Sequence, residues 1–194
     1  MPAPEHSTRS SAGPSDAALV VAARAGEAWA QEALFRRHAP MVNGLAFRIM
    51  GRDSDVDDLV QDAFVIAFSR LHSIDDPQAF AAWLGSIVVR TAGKVIRRRV
   101  LLERLGLRRK RDPIDIDALA TRTAGPDVAA ELRRIYTRLE TLPAEQRIAF
   151  LLRRVEGMEL EEIARATGAS LATAKRRIAA AQQAVERWVD RERR

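Results

Sequence analysis

The sequence predicts an all-α protein made of two compact helical units joined by a linker, and three observations carry that expectation. Apolar residues recur at helical spacing through most of the chain. No stretch alternates apolar and polar residues as a half-buried strand would. Between residues 100 and 126 the periodicity lapses among turn formers, then resumes. A length of 194 residues fits one domain or two, so the lapse decides in favour of two.

Residues 1 to 15 are rich in Pro, Ser, Ala and Gly and read as a disordered tail ahead of a first unit spanning 16 to 99. Asp16 is placed to cap a helix carrying Leu19, Val20 and Ala23, which Gly26 ends. A longer helix follows through Trp29, Leu34, Met41, Leu45 and Ile49, with Pro40 expected to kink or divide it. Gly51 stops it. The next helix, from Asp55 to Leu71, buries Val56, Leu59, Val60, Ala63, Phe64, Ala67 and Phe68. A loop from His72 to Gln78 leads to a helix over 79 to 99, apolar through Phe80, Trp83, Leu84, Ile87 and Val88 and cationic at its far end. Trp83, on the apolar stripe with Phe80 and Ile87, reads as a core residue.

The linker is set at 100 to 126 and the second unit at 127 to 194. There Val128, Leu132, Ile135 and Leu139 form one helical stripe, and Pro143 opens a helix burying Ile148, Leu151, Leu152 and Val155. The segment from Glu156 to Ile178 then spells two helices joined by Gly168, a helix-turn-helix. Leu160, Ile163 and Ala164 share one side of the first helix, and Ser170 is placed to cap the second. Leu171, Ala174 and Ile178 continue the apolar stripe, which leaves Thr173, Lys175, Arg176 and Arg177 outward. A polar, cationic face at the start of a second helix suits the major groove, with cations for phosphates and hydroxyl and guanidinium groups for base edges.

Charge is concentrated rather than spread. Residues 90 to 111 hold ten basic side chains against Glu103 alone, a net of +9 within a chain of net +6. Residues 51 to 62 hold five aspartates and one arginine, a net of −4. The cationic block predicts a polyanionic partner, and the acidic one a second, oppositely charged face. Having no cysteine, the chain forms no disulfide or thiolate metal site. The scattered His6, His38 and His72 read as surface or helix-end residues, not ligands. Asp53, Asp55 and Asp57 have the opening spacing of a calcium loop, but Asp58 stands where glycine is needed and Phe64 where the bidentate glutamate belongs. No metal and no cofactor is expected. Neither a signal peptide nor a run of about 20 apolar residues is evident, so a cytoplasmic protein without membrane insertion is expected.

Three motifs in order carry a resemblance. The first, D-x-x-D-L-V-Q-D-x-F, consists of Asp55, Asp58, Leu59, Val60, Gln61, Asp62 and Phe64. The second is Phe80, Trp83, Leu84 and Ile87 ending in Arg97, Arg98 and Arg99. The third joins Leu142, Pro143, Arg147, Phe150, Leu151, Leu152 and Arg153 to Glu156, Gly157, Glu162, Ile163 and Ala164. Together they make the chain resemble the bacterial extracytoplasmic-function (ECF) sigma factors of the sigma-70 family.

The resemblance implies a sigma factor that binds core RNA polymerase, directs it to a two-part promoter and helps open the strands. It implies polymerase binding, on the beta-prime coiled coil, through Asp55, Asp58, Gln61, Asp62 and Phe64, with the beta flap as a further contact. It implies minus-ten contacts from Ser73, Ile74 and Asp75 in the loop and from Arg90, Lys94, Arg97 and Arg98 on the basic helix. It implies minus-thirty-five contacts from Ser170, Thr173, Lys175, Arg176 and Arg177, with an anti-sigma factor as a further candidate partner. Departures from the family pattern at Arg90, Lys94 and Ile74 bear on minus-ten specificity, and those at Glu159, Ala179 and Ala180 predict fewer and weaker contacts from the helix-turn-helix. No nucleophile with a base and orienting group is visible, so no enzyme is expected. A freestanding operator-binding regulator leaves the acidic motif unused, and a helical adaptor leaves the basic helix unexplained.

Overall fold

The computed structural model describes residues 13–51, 56–107 and 126–192. Among them the chain forms eight α-helices and no strand: α1 Asp16–Arg24, α2 Ala28–Met50, α3 Val56–Ser69, α4 Phe80–Arg104, α5 Pro126–Leu139, α6 Ala144–Arg154, α7 Leu160–Thr167 and α8 Leu171–Glu192. Two 3₁₀ turns, Leu71–Ser73 and Pro77–Ala79, lie between α3 and α4.

Local chemistry accounts for most boundaries. Ser15, not Asp16, caps α1, its Oγ accepting from the Ala18 amide at 3.3 Å. Asp16 is freed to reach across to α2, 2.7 Å from Arg37 and 3.0 Å from His38. Burial raises the Asp16 carboxyl, but hydrogen bonds from Arg37 and His38 outweigh it and hold the group below its ordinary value. His38 is therefore buried and paired rather than at the surface. Pro40 does not divide α2, which runs unbroken through it. Its ring side is exposed, where water can serve the carbonyl that lost its amide partner. Gly51 then ends α2 at φ +71°, a left-handed conformation that costs glycine little.

Helix α4 is the centre of the molecule. Phe80, Leu84, Ile87, Val88, Val89, Ala92 and Ile96 are buried along it, and it packs against α2, α3, α6 and α7. By length and composition the Pro77–Arg104 segment could cross a membrane, contrary to expectation. Half of that apolar stretch is instead buried inside the helical bundle, as in the core helix of a water-exposed fold. α4 continues to Arg104, past the expected boundary at 99.

The second unit has a small core of its own, Tyr136, Leu139 and Leu151, backed by Leu142, Phe150, Val185 and Trp188. Others of its buried apolar residues, among them Ile148, Leu152, Ile163 and Ala166, join one continuous core with the first unit. The two units are thus docked lobes. That docking corrects three expectations: Ile135, Val155 and Leu171 are exposed, while Tyr136 and Arg147 are buried. Most of the predicted linker, residues 108–125, lies outside the described residues, as does the N-terminal tail through residue 12.

The contact between lobes completes a helix end. An α-helix leaves its last four carbonyls without intrahelical donors. At the end of α2 all four find one: Phe47 from the Gly51 amide at 2.7 Å, Arg48 from the Tyr136 hydroxyl at 3.0 Å, and Ile49 and Met50 from Arg147 Nη2 at 2.5 and 2.9 Å. Three of the four donors' bonds come from the second lobe. Burial pushes the Tyr136 phenol up, against the opposing effect of Arg147 and Arg48. Beside this cap Arg48 forms a bidentate pair with Glu156, one arm at 2.8 Å.

Candidate nucleic-acid interface

The exposed side of α3 is acidic over its first two turns because most of its apolar residues face α2 and α4, Val65 at 61% exposure being the exception. Asp57, Asp58, Gln61 and Asp62 are exposed, while Leu59, Val60 and Ala63 are buried. Asp55 lies outside the described residues. Phe64 is not on the presented face: it is 3% exposed, its ring 4.7 Å from Phe35 and 5.8 Å from Phe68. It holds α3 in position rather than touching a partner. Between α3 and α4 a cleft of about 300 Å³ is lined by Asp58 and Asp62 on one wall and Arg98 and Arg99 on the other. The acidic motif and the arginine run are therefore neighbours in space.

The loop after α3 is tied down from α1. Arg24 donates through Nε to the Leu71 carbonyl at 2.9 Å and through Nη2 to that of Ile74. Leu71 and Ile74 are buried beneath it, so Ile74 anchors the loop and is withdrawn as a DNA contact. Ser73 and Asp75 remain exposed on the rim. Asp76 accepts from the Gln78 amide at 2.9 Å and starts the turn into α4. No local pattern announces Arg24, whose partners lie 47 and 50 residues away.

Along α4 the cations Arg90, Lys94, Arg97 and Arg98 are exposed, and their spacing puts the first three on one face. Trp83 packs against the core beside Phe80, as its spacing predicts, but is only partly buried, and its open side lines a cleft between the lobes. Burial, together with the nearby Arg70, lowers the Arg90 guanidinium from its ordinary value. Arg97 pairs with Glu145 of α6 at 2.7 Å. Burial raises the Glu145 carboxyl, but its backbone amide and then Arg97 and Arg177 hold it below its ordinary value.

The helix-turn-helix forms as its sequence requires. Glu159 caps α7 in a reciprocal box with Glu162, whose Oε2 accepts from the Glu159 amide at 2.7 Å. The glutamate that departs from the family pattern thus serves as a cap and also pairs with Arg153 at 3.0 Å. Gly168 makes the turn at φ +65°. Ser170 accepts from the Thr173 amide at 3.2 Å, and its hydroxyl lies 2.9 Å from that of Thr173. Lys175 and Arg176 are exposed as expected. Thr173 and Arg177 are half-buried, so neither faces fully outward. Arg177 lines a cavity of about 240 Å³ with Arg90, Lys94, Arg97 and Glu145. This brings one residue expected at the minus-thirty-five element against three expected at the minus-ten element.

Comparison with known proteins agrees with this geometry. Residues 34–101 match the family model Sigma-70 region 2, and residues 132–185 match Sigma-70, region 4. The chain is 34% identical over 174 residues to the ECF RNA polymerase sigma factor SigM of Mycobacterium tuberculosis (strain ATCC 25618 / H37Rv), covering 89% of this chain and 84% of SigM. It is 31% identical over 149 residues to SigE of Mycolicibacterium smegmatis, covering 75% of this chain but only 56% of SigE. Among solved structures, CnrH in complex with the cytosolic domain of CnrY aligns with a TM-score of 0.59 at 28% identity, covering 90% of this chain and 97% of that one. With region 2 and region 4 in order on an all-helical fold, the chain belongs to the ECF sigma factors of the sigma-70 family, which act in promoter-specific transcription initiation with core RNA polymerase.

Proposed function

We propose that the exposed acidic side of α3 docks on the polymerase beta-prime coiled coil through Asp58, Gln61 and Asp62; Asp55, the further acid of the motif, lies outside the described residues. In the same reading, α4 and the loop before it serve the minus-ten element. Arg90, Lys94, Arg97 and Arg98 supply phosphate contacts, and Ser73 and Asp75 stand at the rim where an unstacked base would be held. Ser170, Thr173, Lys175 and Arg176 serve the minus-thirty-five element from the start of α8, with Arg177 joining them once it leaves the cavity. The beta flap is a contact for the second lobe. The chain positions polymerase and captures opened bases without catalysing a bond change itself.

The observation that carries this reading is the meeting of an exposed acidic face with a row of exposed cations on the paired helices α3 and α4. One face suits a basic protein partner and the other suits DNA, so a single rigid unit can hold both at once. An anti-sigma factor is a further partner in this reading. A cleft of about 380 Å³ between Leu45, Trp83 and Val89 on one lobe and Met158 and Ala166 on the other offers such a protein an apolar seat.

Gel filtration of the purified chain with bacterial core polymerase tests the docking. The intact chain is expected to co-elute, and Asp58→Lys with Asp62→Lys is expected to elute alone with its helix content unchanged. Co-elution of the reversed variant would remove α3 from the interface.

A further inference from the structure

We propose that the cavity lined by α4, α6 and α8 is a binding site for a compact oligophosphate anion, a diphosphate group being what its size and charge fit. This site goes beyond the promoter reading and stands whether or not α4 meets DNA.

Three helices supply its charges. Arg90, Lys94 and Arg97 follow one another at intervals of four and three along α4, so they share one wall. Arg177 comes from α8 and Glu145 from the first turn of α6. Four cations and one carboxylate leave a net charge of +3 around about 240 Å³. Like charges gathered so closely repel one another unless an anion lies among them.

The resident carboxylate leaves most of that demand unmet. Glu145 pairs with Arg97 at 2.7 Å, and Arg90 reaches the Ala166 carbonyl of α7 only at 3.5 Å. Among the described residues the side chains of Lys94 and Arg177 have no hydrogen-bonded or ion-paired partner. An ammonium carries three donors and a guanidinium five, so most donors around the cavity lack a protein acceptor. The N-terminus of α6 adds the positive end of its dipole beside Glu145.

Size and charge select the ligand. A phosphoryl group carries about −1.5 to −2 at pH 7, so two of them match the cavity's charge and one does not. A water needs only about 10 to 15 Å³ of such space, so the cavity admits an anion of several heavy atoms but no duplex. Gly93 of α4 keeps the space open, since a Cβ there would stand 3.5 Å from both Arg97 Nη1 and Ile148 Cδ1.

The test titrates the full chain with sodium diphosphate by calorimetry at pH 7 and about 0.15 M ionic strength, where loose surface pairing is screened beyond about 8 Å. One site per chain is expected, and the thermal midpoint should rise by roughly 5 to 10 °C at a hundred times the Kd. Lys94→Gln with Arg177→Gln should weaken binding about tenfold or more. Arg187→Gln with Arg191→Gln removes the same charge from α8 about 15 and 21 Å further along, and should weaken it by less than about twofold. Glu145→Gln keeps the side chain's shape without its charge and should tighten binding severalfold. An ADP arm separates the sources of the group: affinity equal to that of diphosphate assigns the end of a nucleotide, and lost affinity assigns the free anion.

Absence of saturable diphosphate binding by the unaltered chain would overturn the site. So would undiminished binding by the folded Lys94, Arg177 variant, an equal loss in the distal pair, or weaker binding by Glu145→Gln. Should the Lys94, Arg177 variant unfold, the distal pair and Glu145→Gln decide.

Discussion

The two lobes hold themselves together in different ways. The N-terminal lobe buries Leu19, Leu34, Ile49, Leu59, Phe80 and Leu84 in a core drawn from four of its own helices. The C-terminal lobe keeps Tyr136, Leu139 and Leu151 as a separate buried cluster and buries Ile148, Leu152, Ile163 and Ala166 in the core it shares with the N-terminal lobe. The first builds most of its core from its own helices and takes from its neighbour the donors that finish α2. The second gains burial by docking on the first.

Substitutions that strike one lobe and spare the other test this contrast. The largest effect is expected from Leu84→Ala, which opens a cavity in the fully buried centre of α4. It should cost about 3 kcal/mol and lower the thermal midpoint of the whole chain, read by circular dichroism. Arg147→Met comes next, leaving the Ile49 and Met50 carbonyls without their donor at a cost of about 2 kcal/mol. Hydrogen exchange should then quicken in α6 and α7 while α3 stays protected. Equal quickening in both lobes would contradict the division.

Smaller effects sharpen it. Ser170→Ala removes the cap of α8 and should cost about 1 kcal/mol, confined to the C-terminal lobe. Acid should loosen the contact between lobes before it unfolds either. Glu145 sits below its ordinary value of 4.5, so its pairing with Arg97 is in full force above that value and is lost as pH falls through the lower folded one. The groups facing it are cationic, Arg97 and Arg177 with Arg90 and Lys94 around the cavity, and once Glu145 is protonated nothing there offsets their repulsion. With spin labels on Ser69→Cys of α3 and Gln183→Cys of α8 in this cysteine-free chain, the distance between lobes should lengthen below pH 4.5 with helix content intact. Smallest is Lys175→Ala, expected to reduce the slope of log affinity against log salt by about one.

How far the sequence could be read follows the same contrast. In the N-terminal lobe each helix has one buried face and one wet face, so simple periodicity found α3 and most of the core residues. Pro40 misled because its cost depends on exposure, and spacing carries no sign of that. In the C-terminal lobe, α6 packs against α2, α4, α7 and α8, and a single stripe could not describe it. Ile135 and Val155 were expected inside and are exposed, whereas Tyr136 and Arg147 are inside because α2 ends beside them. Of the candidate site, the exposed acids of α3, the cations of α4 and the Ser170 cap of the helix-turn-helix were legible in local sequence, while the Glu159 cap was not. The anchoring roles of Phe64 and Ile74 were not, since each depends on contacts with distant residues, Phe35 for one and Arg24 for the other.

Run-off transcription with core polymerase on a library of bacterial promoters tests the central claim most directly. The account predicts specific initiation from a subset of promoters with the intact chain, lost when Asp58 and Asp62 are both reversed to lysine. Absence of initiation by the intact chain, or equal initiation by the reversed variant, would contradict it.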